Sequence, residues 1–191
     1  MTTGLFVGRF QPFHMGHLAT VKFALKSVDD LVIVVGSAQK SHEQRNPFTA
    51  GERIAMIRAA LKADKDVDVC RIMTIPVPDV DVHSLWTRQV DMLVPAYDVV
   101  FANDPFTLLL FRERGVKTVE PPLQERSKWM ATEVRRRMAE GEKWQELVPA
   151  PVARAIKQID GVERVRAIAQ HDHVHGGHHD HHHNHHHHHH H

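Results

Sequence analysis

Short apolar runs alternate along this chain with longer segments in which apolar residues recur every three or four positions. The runs predict five strands, at residues 5–7, 31–35, 71–75, 97–102 and 116–119. The periodic segments predict helices, the last two near residues 152–159 and 162–169. Because strands and helices alternate, we expect an α/β fold with a doubly wound parallel sheet of five strands, followed by C-terminal helices.

Several helix boundaries carry signals of their own. Thr49 and Glu52 have the spacing of a capping box, which predicts a helix that begins after Thr49. Asp104 followed by Pro105 is typical of an N-cap and a first helical position. Gly141 predicts the end of a helix over residues 132–139.

The segment after the first predicted strand has the features of a phosphate site. It reads GRFQPFHMGH over residues 8–17. Unpaired N–H groups at a helix N-terminus attract anions, and Arg9 adds a guanidinium cation that can donate two hydrogen bonds to one phosphate. Gly16 lets a ligand approach the backbone, and a spacing of three places His14 and His17 on one helix face. Ligands of parallel sheets bind at the carboxyl ends of strands, where this segment lies.

This segment resembles the signature of the nucleotidyltransferases that share the HIGH motif with class I aminoacyl-tRNA synthetases. The ten-residue form is similar to that of archaeal-type nicotinamide-nucleotide adenylyltransferases. The resemblance covers about residues 4–170 and implies a Rossmann-like fold and the reaction of ATP with nicotinamide mononucleotide (NMN) to give NAD⁺ and pyrophosphate. It implies catalytic roles and nucleotide contacts in this segment for Arg9, His14, His17, Gly8, Phe10 and Gly16.

Two further loops resemble the same enzymes. After the second strand, G-S-A-Q…S-H…N-P-F-T-A-G-E-R implies that Ser37 and Arg45 hold nucleotide phosphates. For His42 in that loop, binding and a solvated position both stay open. After the fourth strand, Asn103 is implied to lie near the adenine and ribose.

Asp79 and Trp86, after the third strand, resemble the nicotinamide pocket of the family. Nicotinamide in a mononucleotide is a pyridinium cation, which a tryptophan face attracts. A carboxylate accepts hydrogen bonds from the carboxamide. The family often has asparagine at the position of His83, so no role is assigned to His83.

The helix that begins near Thr132 carries three consecutive arginines in its first turns. Cations are unfavourable there because the helix dipole is positive, unless a polyanion faces them. The family pattern is S-G-T-E-V-R-R-R-M, and Met130-Ala131 replaces its Ser-Gly pair. By the resemblance Arg135 is the principal phosphate ligand and Thr132 the N-cap and a donor, whereas Arg136 and Arg137 are expected to be solvated.

The implied mechanism needs no side-chain nucleophile, since the NMN phosphate attacks the α-phosphorus of ATP. Positioning and charge stabilisation then supply the catalysis. Mg²⁺ bound to ATP keeps most of its waters, so we expect no metal ligands from the protein.

Composition excludes several classes of protein. The net charge of +1 argues against a dedicated nucleic-acid binder, and no apolar run approaches the ~20 residues of a membrane span. The absence of a signal-peptide pattern and the single Cys70 favour a reducing compartment, so we expect a cytoplasmic protein. The resemblance suggests a homo-oligomer, a hexamer.

The last segment, residues 171–191, holds 15 of the 19 histidines. We expect a nucleotidyltransferase domain over residues 1–170 and a disordered tail, native or in part an added tag, that binds Ni²⁺ or Zn²⁺.

Three alternatives stay open. An adenylyltransferase that acts on FMN or phosphopantetheine is disfavoured by the pair of Asp79 and Trp86. It is also disfavoured by the sequence G-R-F-Q-P-F that precedes the H-x-G-H motif. A class I synthetase fragment is disfavoured because the chain is short and lacks a basic tRNA-binding domain. A metal-storage or metal-delivery protein would act through the tail, which a tail truncation tests.

Overall fold

Five parallel strands form a single sheet in the computed structural model, which describes residues 1–122 and 129–176 of the 191-residue chain. They are β1 (Thr3–Gly8), β2 (Asp30–Val35), β3 (Ile72–Pro76), β4 (Val99–Ala102) and β5 (Lys117–Val119). Their order across the sheet is β3-β2-β1-β4-β5, and each neighbouring pair is parallel. The predicted sheet is therefore confirmed.

Helices connect the strands and follow the last of them. They are α1 (Met15–Leu25), α2 (Ala50–Ala63), α3 (His83–Leu93), α4 (Pro105–Arg112), α5 (Ala131–Glu140), α6 (Ala150–Gln158) and α7 (Gly161–Gly176). Within the described ranges, no helix is long and apolar enough to cross a membrane.

The alternation of side chains along each strand builds two apolar layers, one on each face of the sheet. Phe6 of β1 packs with residues of α1, α2, α5, α6 and α7 on one face. Leu5 and Val7 pack with residues of α3 and α4 on the other face. Strands buried on both faces read as the continuous apolar runs seen in the sequence.

Chain direction across the sheet reverses at β1, which lies between β2 and β4. From β1 the chain passes through α1 to β2 and through α2 to β3. It then returns through α3 to the opposite side of β1, where β4 and β5 lie. A crevice forms at the carboxyl ends of the strands at such a switch point. Residues 8–17 and Asn103 follow β1 and β4, so the topology places both at this crevice.

The predicted caps of α2 and α4 are confirmed. Thr49 Oγ1 accepts from the backbone N–H of Glu52, whose carboxylate accepts from the N–H of Thr49. Asp104 caps α4, and Gly141 ends α5 with a φ of 73°. The expectation that Thr132 is an N-cap is wrong: α5 begins at Ala131, and its N-cap is Met130, without a side-chain hydrogen bond.

The C-terminal boundary of the domain also differs from the prediction. Helix α7 continues to Gly176, so the first six residues of the predicted disordered tail are helical. Residues 177–191 lie outside the described residues.

Candidate functional site

Two histidines cap the N-terminus of α1 by bonding to each other's backbone. His14 is the N-cap, and its Nδ1 accepts from the N–H groups of Gly16 at 3.0 Å and His17 at 3.3 Å. His17 Nδ1 accepts in return from the N–H of His14 at 3.1 Å. The rings stack with centroids 3.5 Å apart. This is a capping box made of two imidazoles, so His14 precedes the helix and does not share a helix face with His17 as expected.

These hydrogen bonds assign the protonation state of both rings. Since each Nδ1 is an acceptor, the proton of the neutral ring is on Nε2. Burial, with a contribution from Arg135, lowers the pKa of His14 to about 3. Burial and the neighbouring His14 lower the pKa of His17 well below its ordinary value. Both rings therefore offer a neutral Nε2–H donor at neutral pH.

This arrangement predicts that stability decreases as the pH falls from about 6.5 to 5. In the unfolded chain both histidines regain a pKa near 6.5 and bind protons, whereas the folded chain keeps them neutral. Each histidine then removes about 1.4 kcal/mol from the unfolding free energy per pH unit below 6.5. Urea unfolding at pH 7.5, 6.5, 5.5 and 5.0 measures this slope. In His17→Gln the slope should correspond to about one fewer proton taken up on unfolding. An unchanged slope would contradict the conclusion that His17 is neutral in the folded protein.

The ring of Phe10 packs against the ring of His17. Phe10 is 1% exposed, and its ring lies edge-on to His17, with centroids 4.7 Å apart. Because the ring is in the core, the nucleotide contact predicted for Phe10 would be made by its backbone. A Cβ at Gly8 would lie 2.9 Å from the Phe10 ring, and one at Gly16 would lie 2.9 Å from the His14 ring. Both glycines thus make room for rings, in addition to their predicted nucleotide contacts.

Three of the predicted arginines converge beside His14. Arg135 is largely buried and donates from Nη1 to the carbonyl of Gln11 at 2.8 Å. Burial, together with the charges of Arg9 and Arg45, lowers the pKa of Arg135 to about 10. The site is thus strongly positive before any ligand binds, which favours a polyanion.

A cavity of about 860 Å³ opens in front of these arginines. Four predicted residues line it, namely Arg9, Arg45, Thr132 and Arg135, together with part of α7. His42 is exposed and lies outside this lining. The predicted nicotinamide residues and Asn103 do not line the cavity either.

The other two arginines of α5 are not simply solvated. Arg136 pairs with Glu133, Glu140 and Glu142, and Arg137 pairs with Glu133. Hydrogen bonds from both arginines lower the pKa of Glu133 to about 2. Carboxylates therefore offset these two cations, and Arg136 lines the cavity together with Arg135.

Asp79 and Ser37 are joined in a separate polar cluster after β2 and β3. Ser37 Oγ donates to Asp79 Oδ1 at 3.1 Å, and Gln39 Nε2 donates to Asp79 Oδ2 at 3.1 Å. The hydroxyl group of Ser37 is therefore bonded to a carboxylate, and its phosphate contact stays a prediction. The side chain of Asp79 is 38% exposed, which leaves it accessible to a ligand.

Trp86 and Asn103 each hold a buried polar atom without a partner among the described residues. These atoms are Trp86 Nε1 and Asn103 Oδ1. Trp86 packs edge-on against Phe111, with its six-membered ring 4.0 Å from a Cβ built at Gly36. Buried polar groups normally have partners, so both atoms keep hydrogen-bonding capacity that the described residues do not use.

Sequence reasoning missed Arg53, which is fully buried in α2. It donates to five backbone carbonyls in the loops after β1 and β2 and at the α2 cap, those of Arg9, Gly36, Ser37, Lys40 and Thr49. Burial and the charge of Arg9 lower the pKa of Arg53 to about 10. The sequence signal was an arginine one residue after a capping glutamate on an otherwise apolar helix face.

Gln11 was also missed. Its amide bonds both backbone groups of Phe48, at 3.0 Å and 2.9 Å, and so ties the first loop to the start of α2.

The chain is similar to known proteins over nearly all of its described length. A sequence profile described as cytidylyltransferase-like matches residues 5–137. The nicotinamide-nucleotide adenylyltransferase of Saccharolobus solfataricus is 46% identical over 172 residues, which cover 90% of this chain and 99% of that protein. The protein of the same name from Pyrococcus furiosus is 47% identical over 169 residues, which cover 88% of this chain and 90% of that protein.

Solved structures agree on the fold. A bifunctional NMN adenylyltransferase/ADP ribose pyrophosphatase from Francisella tularensis, complexed with AMP and a manganese ion, superposes with a TM-score of 0.71 at 21% identity. The match covers 92% of this chain and 54% of that one.

Proposed function

Since the chain belongs to the cytidylyltransferase-like family, and within it to the nicotinamide-nucleotide adenylyltransferases, we propose that it joins ATP and NMN to give NAD⁺ and pyrophosphate. The observation that carries this proposal is the pair of neutral Nε2–H donors at the N-terminus of α1, beside three converging arginines. That arrangement recognises a polyphosphate at the switch point of the sheet.

In the proposed reaction an oxygen of the NMN phosphate attacks the α-phosphorus of ATP in line. A new P–O bond forms, the bond from the α-phosphorus to the bridging oxygen breaks, and its electron pair leaves with pyrophosphate. His14 and His17 donate to phosphate oxygens on which negative charge develops. Arg9, Arg45 and Arg135 bind the phosphates, and the N–H groups at the start of α1 add fixed dipoles.

Mg²⁺ is the divalent ion we propose for the ATP complex. In residues 1–122 and 129–176, no group of three or more His, Cys, Asp or Glu side chains could hold a metal ion. Mg²⁺ is commonly held by substrate phosphates and water, and we propose that it arrives with ATP. That ion supplies charge neutralisation on the triphosphate.

For the acceptor, we propose that Asp79 and Trp86 contact the nicotinamide and Asn103 the adenosine. Asp79 attracts the pyridinium cation and accepts from the carboxamide, but it repels the carboxylate of nicotinic acid mononucleotide. We predict that Asp79→Asn decreases the preference for NMN over nicotinic acid mononucleotide, measured as a ratio of kcat/KM, by about tenfold.

Asp81→Asn is the matched control, because Asp81 is exposed two residues away. It should leave the ratio unchanged. Equal kcat/KM for both acceptors in the unmodified enzyme would rule out the role given to Asp79.

The experiment that tests the function is NAD⁺ formation from ATP, Mg²⁺ and NMN by the full chain. Turnover supports the proposal and shows that Met130-Ala131 is tolerated at the start of α5. Turnover with FMN or phosphopantetheine, but not with NMN, would instead establish an adenylyltransferase that acts on that acceptor.

A chain that ends at Gly176, where α7 ends, tests whether the remaining residues contribute to catalysis. We propose that they do not. Binding of Ni²⁺ or Zn²⁺ by the histidine-rich segment is proposed as an accessory property, favoured by its 15 histidines.

We further propose a cytoplasmic homo-oligomer, with the hexamer that the resemblance suggests. Large apolar side chains on α3 and α4 are exposed, as an interface would require: Leu85 at 56%, Met92 at 80%, Phe106 at 49% and Leu109 at 42%. Light scattering coupled to gel filtration measures the mass of the assembly.

A further inference from the structure

The last turns of α7 carry a pair of exposed histidines outside the nucleotide site. His171 and His175 are four residues apart on the helix, and their rings stack with centroids 4.3 Å apart and an interplanar angle of 17°. Residues four apart on a helix are neighbours on its surface. The two imidazoles are therefore neighbours on an exposed surface, and turning the rings out of this parallel stack would bring one nitrogen of each to the same ion.

The hydrogen bonding of His175 leaves its other nitrogen available as a ligand. Its Nδ1 lies 3.1 Å from the carbonyl oxygen of His171. Because a carbonyl only accepts, the proton of a neutral ring is on Nδ1 and the lone pair is on Nε2. Histidines that bind metals usually donate their other N–H in this way, to a carbonyl or carboxylate.

The surrounding charges also favour a cation. A carboxylate oxygen of Asp172 lies 3.6 Å from Nδ1 of His171. The pair lies in the last turns of α7, where the helix dipole is negative.

The pair lies on the opposite side of α7 from the nucleotide cavity. His173, Ala169 and Ile168 line that cavity, whereas His171 and His175 do not. At 3.6 residues per turn, His173 projects about 160–200° away from the pair. An ion at the pair would therefore not occupy the cavity.

We propose that His171 and His175 form a binding site for one divalent transition-metal ion, of the class of Ni²⁺, Cu²⁺ or Zn²⁺. Imidazole suits these ions, and water completes the coordination. The site is independent of adenylyl transfer and of the histidines beyond residue 176.

The test must separate this pair from the later histidines. Residues 177–191 contain 12 histidines, which would bind metal themselves. A chain that ends at Gly176 avoids them and keeps every described strand and helix. Such a chain should fold, because the Saccharolobus solfataricus relative aligns over 99% of its own length to 172 residues of this chain.

The measurement is calorimetric titration of this shortened chain with Zn²⁺ or Ni²⁺ at pH 7.5. We expect one ion per chain, and about tenfold or greater loss of affinity in both His171→Ala and His175→Ala. His173→Ala is the matched control, since it removes a histidine from the same helix on the opposite side, and it should keep the affinity. Circular dichroism checks that each variant is folded.

Two results would overturn the proposal. One is the absence of binding by the folded shortened chain. The other is an equal effect of His173→Ala, which would mean that the histidines of this helix bind metal without forming a site. Binding should also weaken at pH 5.5, because protons compete for the imidazoles.

Discussion

His17→Ala should lower kcat for NAD⁺ formation by roughly 10²–10³-fold, the range expected for loss of a positioned donor to developing negative charge. The ring of His17 is held by three contacts: the bond from the His14 N–H, the stack on His14 and the edge of Phe10. Its Nε2–H is therefore preorganised. Steady-state kinetics with saturating ATP and NMN measure the effect.

The same substitution also removes half of the α1 capping box, so stability must be measured in parallel. His17→Gln is the matched variant, because glutamine at this position can accept the bond from the N-cap N–H. We expect it to restore most of the lost stability but to leave kcat at least about tenfold below that of the unmodified enzyme. Near-normal kcat in a folded His17→Ala protein would remove His17 from the mechanism.

The fold could be predicted because its strongest signals are local. Apolar runs, the Thr49–Glu52 box and the Asp104-Pro105 start are short-range patterns, and each agrees with the same layered architecture. The end of α7 was missed because histidine and aspartate are weak helix formers, so the sequence pattern ended before the helix did.

The candidate site was predicted less completely, since several of its properties arise only when distant segments meet. The first motif indicated a phosphate site, but it could not indicate that His14 caps the helix or that Phe10 is buried beneath His17. The ion pairs of Arg136 with Glu142 and of Arg137 with Glu146 depend on the fold of the segment after α5, whereas those with Glu133 and Glu140 follow from helical spacing within α5. Arg53 was missed because its partners are backbone carbonyls, which no sequence pattern records.

Arg53→Met should destabilise the protein by about 3 kcal/mol or more and lower kcat/KM in the folded fraction. All five N–H groups of the buried guanidinium are used, on carbonyls that belong to both phosphate-site loops. Methionine fills much of the volume but leaves those carbonyls without a donor, and an unsatisfied buried acceptor costs about 1–3 kcal/mol. Because Arg9 and Ser37 are held through their backbones, both loops should lose their relative position.

Arg58→Met provides the matched control, since Arg58 lies on the exposed face of the same helix. It should change the unfolding free energy by less than about 0.5 kcal/mol and leave kcat/KM unchanged. Arg53→Lys separates charge from geometry: it keeps the positive charge but cannot reach five acceptors, so it should resemble Arg53→Met if positioning dominates. If Arg53→Lys instead retained full stability and activity, the positive charge alone would be sufficient, and the two loops would not depend on the guanidinium for their arrangement.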